Sequence, residues 1–199
     1  MTDEYRYHDP DSIYTDPATG VLRNKLGITD QATLSSIEAL ETAARIAELD
    51  RHPIRVSASS TLLDIHGFIF ANLYHWAGKV RRVEISKQGK QFLVTAAFPA
   101  GFAYIDTLIA EYRQADDAAP AIARCLAEIL DSVNYLHPFR EGNGRAQREF
   151  IRALALERGY RLNLNPATER TVYERYTRGT VEGDVAALAA LITSIIERP

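Results

Sequence analysis

Apolar residues recur at steps of three and four along most of the chain, and the pattern is interrupted where it is strongest by one glycine-rich loop. Ala119 to Leu136 sets Ile122, Leu126, Ile129, Leu130 and Val133 on one face. Arg145 to Arg158 does the same with Phe150, Ile151, Leu154 and Ala155 before Gly159. The same spacing predicts a helix from Asp30, an N-cap, to about Asp50 through Leu34, Ile37, Leu40, Ala44 and Leu49. A second is predicted over Thr61 to Trp76, with Gly78 as its stop, and a third from Pro99 through Phe102, Ile105, Leu108, Ile109 and Tyr112. Two more are predicted over about 168–178 and 181–197. Val83 to Val94 alternates instead, with Val83, Ile85, Phe92 and Val94 around a Lys87-Gln88-Gly89-Lys90 turn, the pattern of a β-hairpin. The class is mainly α, with one short hairpin.

At 199 residues, 46% of them hydrophobic, the chain can bury one sizeable core, which predicts a single domain over 1–199. Residues 1–20 are acidic, tyrosine-bearing and aperiodic, with Pro10, Pro17 and Gly20, and read as an extended arm lying on the body. A net charge of -3 supplies no basic field for direct nucleic-acid binding. The single cysteine, Cys125, excludes an internal disulfide and falls on an apolar face, as a small buried hydrophobe does. No apolar run reaches membrane-span length and the first residues lack a basic-then-apolar pattern, so a cytoplasmic protein with no membrane contact is expected.

The loop between the two best-patterned helices reads His137-Pro138-Phe139-Arg140-Glu141-Gly142-Asn143-Gly144-Arg145-Ala146-Gln147-Arg148. Pro138 disfavours helical backbone at His137, so the preceding helix should stop there and present an imidazole at its end. Gly142, Asn143 and Gly144 tolerate positive φ and precede a helix whose first-turn N–H groups have no intrahelical acceptor, which makes a backbone anion cradle. Arg145 and Arg148 stand three apart in that first turn, where cations oppose the helix dipole unless a polyanion is bound. Glu141 adds a carboxylate of the kind that holds Mg²⁺ beside phosphates. Among these residues only His137 has an ordinary pKa near neutrality, which suits it to accept a proton from an attacking hydroxyl. Taken singly, a Gly-Asn-Gly turn, solvated or Glu149-paired arginines and a structural histidine are the commoner readings; twelve residues holding all of them point to a Mg-nucleoside triphosphate. Phe139 is expected only to plug the loop into the core.

This segment resembles the signature loop of Fic (filamentation induced by cAMP) proteins, HPFx(D/E)GNGRxxR, at every specified position. Leu73 to Gly78 is similar to the family's helix end before its flap, Val83 to Val94 stands in the flap's place, and Leu22 to Gly27 resembles the amino-terminal region of small bacterial Fic toxins. The resemblance implies a helical bundle with a hairpin flap over the active-site loop, preceded by an arm over 1–28. It further implies AMP transfer from Mg-ATP to a hydroxyl of a target protein, with His137 as base and Glu141 on Mg²⁺. Gly142, Asn143 and Gly144 would cradle phosphate, Arg145 would meet the β-phosphate and Arg148 the γ-phosphate. The flap would dock an extended stretch of target by strand addition, with Lys87 as a contact.

Many Fic enzymes carry an inhibitory helix with the pattern (S/T)xxxE(G/N). Here Glu141-Gly142 and Glu182-Gly183 offer the terminal pair, but His137 and Arg178 stand four residues before them. The resemblance then implies a toxin restrained in trans by a small antitoxin whose glutamate reaches Arg148, with type II topoisomerase subunits (DNA gyrase or topoisomerase IV) as targets. Alternatives are a Fic-fold phosphotransferase with the nucleotide reversed and a non-enzymatic nucleotide-binding module.

Overall fold

The computed structural model describes residues 5–7, 12–87 and 90–198. In chain order they form β1 (Tyr5–Tyr7), α1 (Gln31–Arg51), α2 (Thr61–Phe70), β2 (Ile85–Lys87) and β3 (Lys90–Gln91). There follow α3 (Phe98–Gln114), α4 (Ala119–Leu136), α5 (Asn143–Glu157), α6 (Arg170–Glu182) and α7 (Val185–Ile195). The mainly helical class is therefore as expected. α4 lies at the centre, packed on α3, α5 and α7, while α2 backs α5 from the other side. Its face of Ile122, Leu126, Ile129, Leu130 and Val133 is fully buried, and burial of one such side chain contributes roughly 1.5–3 kcal/mol. α4 and α5 thus form a rigid base for the loop between them.

Local chemistry explains the ends. Asp30 caps α1 by accepting the Thr33 N–H at 2.7 Å, and Pro99 sits in the first turn of α3, where a missing N–H costs nothing. The helix predicted over Thr61 to Trp76 is shorter: α2 ends at Phe70 and residues 71–78 turn. The apolar spacing continues there because Leu73 and Tyr74 are still buried, but in consecutive turns that place Gly78 against Gly67. The last break also moves. Gly179 stays inside α6, where a Cβ would come 2.6 Å from Leu188 Cδ2, and the chain turns at Gly183 before Asp184 caps α7.

The hairpin is shorter than 83–94, pairing Ser86 with Gln91 and Lys87 with Lys90; its turn residues Gln88 and Gly89 lie outside the described residues. On its other side β2 pairs antiparallel with β1, so the arm supplies a third strand. Farther along, the arm is anchored to the body: Tyr14 is buried edge-on against Trp76 and its hydroxyl accepts the Arg82 N–H at 3.0 Å, while the Lys25 N–H donates to Leu73 O.

Candidate active site

α4 ends at Leu136, and His137 caps it in left-handed backbone, φ 42° and ψ 58°. That conformation is uncommon outside glycine, and it turns the ring out of the helix line while leaving it buried. The ring stacks on Phe92 of the hairpin at 3.7 Å. Nδ1 donates to Asn134 O at 3.3 Å, which puts the basic lone pair on Nε2. Burial pushes the imidazole's pKa down to about 3, with Arg81 and Lys87 adding to the shift against the Asn134 bond. The neutral form therefore dominates at pH 7, although a helix C-terminus alone would favour the charged one.

Gly142 opens α5 at φ 81°, and a Cβ there would lie 2.2 Å from Phe70 Cζ. Asn143 is buried and spends both ends of its amide on Phe139, accepting its N–H at 2.9 Å and donating to its carbonyl at 2.7 Å. Its side chain thus locks the loop, and what it offers a phosphate is backbone N–H. Phe139 is the plug expected of it, stacked on His66 at 3.7 Å.

The two arginines part. Arg148 lies beside Tyr173 and Tyr176, 5.4 and 5.3 Å from the ring centres, in a cavity of about 530 Å³ that His137, Gly144, Phe92, Lys87 and Asp131 also line. Arg145 points to α1, where Glu38 takes it at 2.5 Å, Thr42 Oγ1 at 3.2 Å and Glu141 at 3.4 Å. Glu141 also accepts the Gly142 N–H at 2.8 Å. The cavity thus collects His137, Gly144, Arg148 and Lys87, whereas Glu141 and Arg145 border α1. Of the commoner reading for the arginines, ion pairing holds for Arg145 through Glu38, while Glu149 pairs with Arg152. Lys87 is half-buried on the cavity wall and not at an exposed turn tip.

Two residues that the sequence reading passed over hold the site together. Arg81 is buried and donates to the carbonyls of His137 at 2.9 Å, Val83 at 2.5 Å and Leu93 at 2.6 Å, while its own N–H meets Pro138 O at 2.7 Å. His66 accepts the Gly78 N–H on Nδ1 at 2.9 Å, so Nε2 carries the proton and donates to Glu141 O at 3.0 Å. Neither leaves a recognisable motif, since most of their partners are backbone groups that only the fold brings near.

Residues 56–155 match the model of the Fic/DOC family. The chain belongs to the Fic/DOC family. This Fic protein is 34% identical to protein adenylyltransferase VbhT of Bartonella schoenbuchensis over 94% of its own length, spanning 39% of that relative. It is 32% identical to the probable protein adenylyltransferase Fic of Salmonella typhimurium, over 92% of its own chain and 91% of the relative. The fold matches the BepC protein of Bartonella tribocorum solved with bound AMPPNP, at a TM-score of 0.81 and 19% identity over 96% and 100% of the two chains. It also matches an ADP-bound Fic domain from Bartonella quintana at 0.80 and 24%, over 93% and 94%.

Proposed function

We propose that this Fic chain transfers AMP from ATP to a hydroxyl side chain of another protein. The observation that carries the reading is one cavity holding the His137 ring, the start of α5 at Gly144 and the Arg148 guanidinium. Adenylyltransferase is also the activity that the relatives' names give, and two structures of this fold hold adenine nucleotides.

In this reading the first-turn N–H groups of α5 and Arg148 hold the phosphates, with Arg148 on the γ-phosphate. His137 Nε2 takes the proton of the target hydroxyl; its oxygen bonds to the α-phosphorus, the bond to the bridging oxygen breaks, and pyrophosphate leaves with that electron pair. Phosphates beside the ring offset its desolvation and raise its proton affinity. Mg²⁺ would rest on Glu141 and nucleotide phosphates, the usual arrangement for that ion, once Glu141 turns from the Arg145 and Gly142 N–H contacts it makes here, and would neutralise developing charge. Arg145 reaches a β-phosphate by exchanging its Glu38 contact.

The hairpin docks target by strand addition at the outer edge of β3, since β2 is paired on both sides, with Lys87 at the cavity wall as a contact. The chain acts as a toxin, held by an antitoxin whose glutamate takes Arg148. Type II topoisomerase subunits are the proposed targets. The test is ATP labelled at the α- or the γ-phosphate, given to the purified chain with Mg²⁺ and bacterial lysate. Label in protein from the α-position alone supports AMP transfer and identifies the target by mass. Label from the γ-position alone makes the chain a phosphotransferase, and binding without transfer makes it a nucleotide module.

A further inference from the structure

The cavity has two chemically different ends. At one, Gly144 and Arg148 offer backbone N–H groups and a guanidinium. At the other, the wall passes to Thr180, Val181, Glu182 and Gly183 at the close of α6, opposite Asp131 on α4. Asp131 stands six residues before His137, about 9 Å back along the helix. Gly183 brings α6 close, since a methyl there would stand 3.8 Å from Asp131 Oδ1. With triphosphate at the cationic end, this acidic end receives the nucleoside.

The Asp131 carboxyl is half-buried, and its pKa is raised by burial with no cation or donor set against it. No hydrogen-bond or ion-pair partner meets it among the described residues. A partly desolvated acceptor facing a cavity is satisfied only by a ligand donor or water. Adenine presents an exocyclic amine where guanine presents a carbonyl oxygen. We propose that Asp131 selects the base of the bound nucleotide, its carboxylate accepting a hydrogen bond from the exocyclic amine of adenine and repelling the guanine oxygen. This rests on the AMP-transfer reading and adds to it a residue that decides which nucleotide enters.

The experiment compares kcat/KM and Kd for ATP, GTP and 3′-deoxy-ATP in the wild-type chain, Asp131→Ala and Asp131→Asn. Wild type should favour ATP over GTP, and both variants should narrow that preference by about tenfold or more, the loss of one specific base contact. Asp131→Asn should gain on GTP, because its amide can present N–H to the guanine oxygen. An ATP-to-GTP ratio unchanged in both variants, with ATP still bound, overturns the inference and leaves AMP transfer standing. A narrowed ratio of ATP to 3′-deoxy-ATP, with the ATP-to-GTP ratio intact, overturns it in favour of a ribose contact. A wild-type chain that binds no ATP overturns the AMP-transfer reading and this one together.

Discussion

Arg81 and His66 do their work mainly through backbone groups. Replacing Arg81 by Met leaves the carbonyls of His137, Val83 and Leu93 without their buried donor, and losses of about 1–3 kcal/mol accompany a buried group left unpaired. Arg81→Met should therefore lower stability by about 3 kcal/mol or more in urea unfolding, and cut transfer because the His137 peptide is no longer held. The two buried imidazoles set a pH dependence. His66 and His137 are each pushed down from 6.5 to about 3, chiefly by burial. Their folded-state pKa lies below the unfolded value, so the stability of keeping them neutral is fully present above pH 6.5 and is lost as pH falls toward 3. Between pH 7 and 5 each should contribute a loss of about 2 kcal/mol. The check is urea unfolding at both pH values, in which His66→Gln should show a clearly smaller loss than wild type. None of this was legible in the sequence, because a histidine on an apolar face and an arginine before a hairpin look ordinary until the distant carbonyls arrive. The position of His137, by contrast, was legible, since Pro138 dictates where α4 must end.

At the scale of elements, the loop is held by the fit of α5 onto α2. Gly142 combines positive φ with contact against the Phe70 ring. Gly142→Ala should cost about 1–2 kcal/mol for the left-handed backbone alone, plus the clash, measured as a fall in unfolding midpoint with reduced ATP affinity. Gly142→Ala with Phe70→Leu should recover part of the midpoint by relieving the clash and leaving the backbone cost. The Gly-Asn-Gly run announced a turn before a helix, but it hid the division of labour, in which Gly142 is set by packing, Asn143 locks the loop and Gly144 faces the cavity. Among the described residues periodicity found each α-helix, missed the 3-10 turn at Thr95–Ala97, and misplaced boundaries at Phe70 and at Gly183, because buried turns keep the apolar spacing of a helix and a glycine can sit inside one when a leucine fills its space. The flap was legible as alternation, while its third strand was not, since main-chain pairing by Tyr5–Tyr7 needs no side-chain pattern. With β2 covered on both sides, a target adding a strand meets an outer edge of β1 or β3 unless the arm gives way.

Across the whole molecule, α4 carries the core on most of its length and the site on its last two turns, so the same packing that stabilises the bundle fixes the cavity. Arg148, which makes no ion pair among the described residues, and Gly144 in the first turn of α5 face that cavity, and an anion bound there offsets the charge they concentrate. ATP should accordingly stabilise the chain by about 2.7 kcal/mol at 100 times its Kd, read as a rise in thermal midpoint, and Arg148→Ala should lose most of that rise. Arg145→Ala should instead weaken the unliganded chain, since it strips the cationic partner from Glu38 of α1 and leaves it only the Tyr74 hydroxyl. The most direct measurement of the chemistry is transfer of α-labelled AMP to the target by wild type and by His137→Ala, with ATP binding measured on both. Binding retained and transfer reduced by a thousandfold or more, within the roughly 10²–10⁴-fold range of acid–base catalysis, is the expected result. Equal transfer by His137→Ala would contradict His137 as the base.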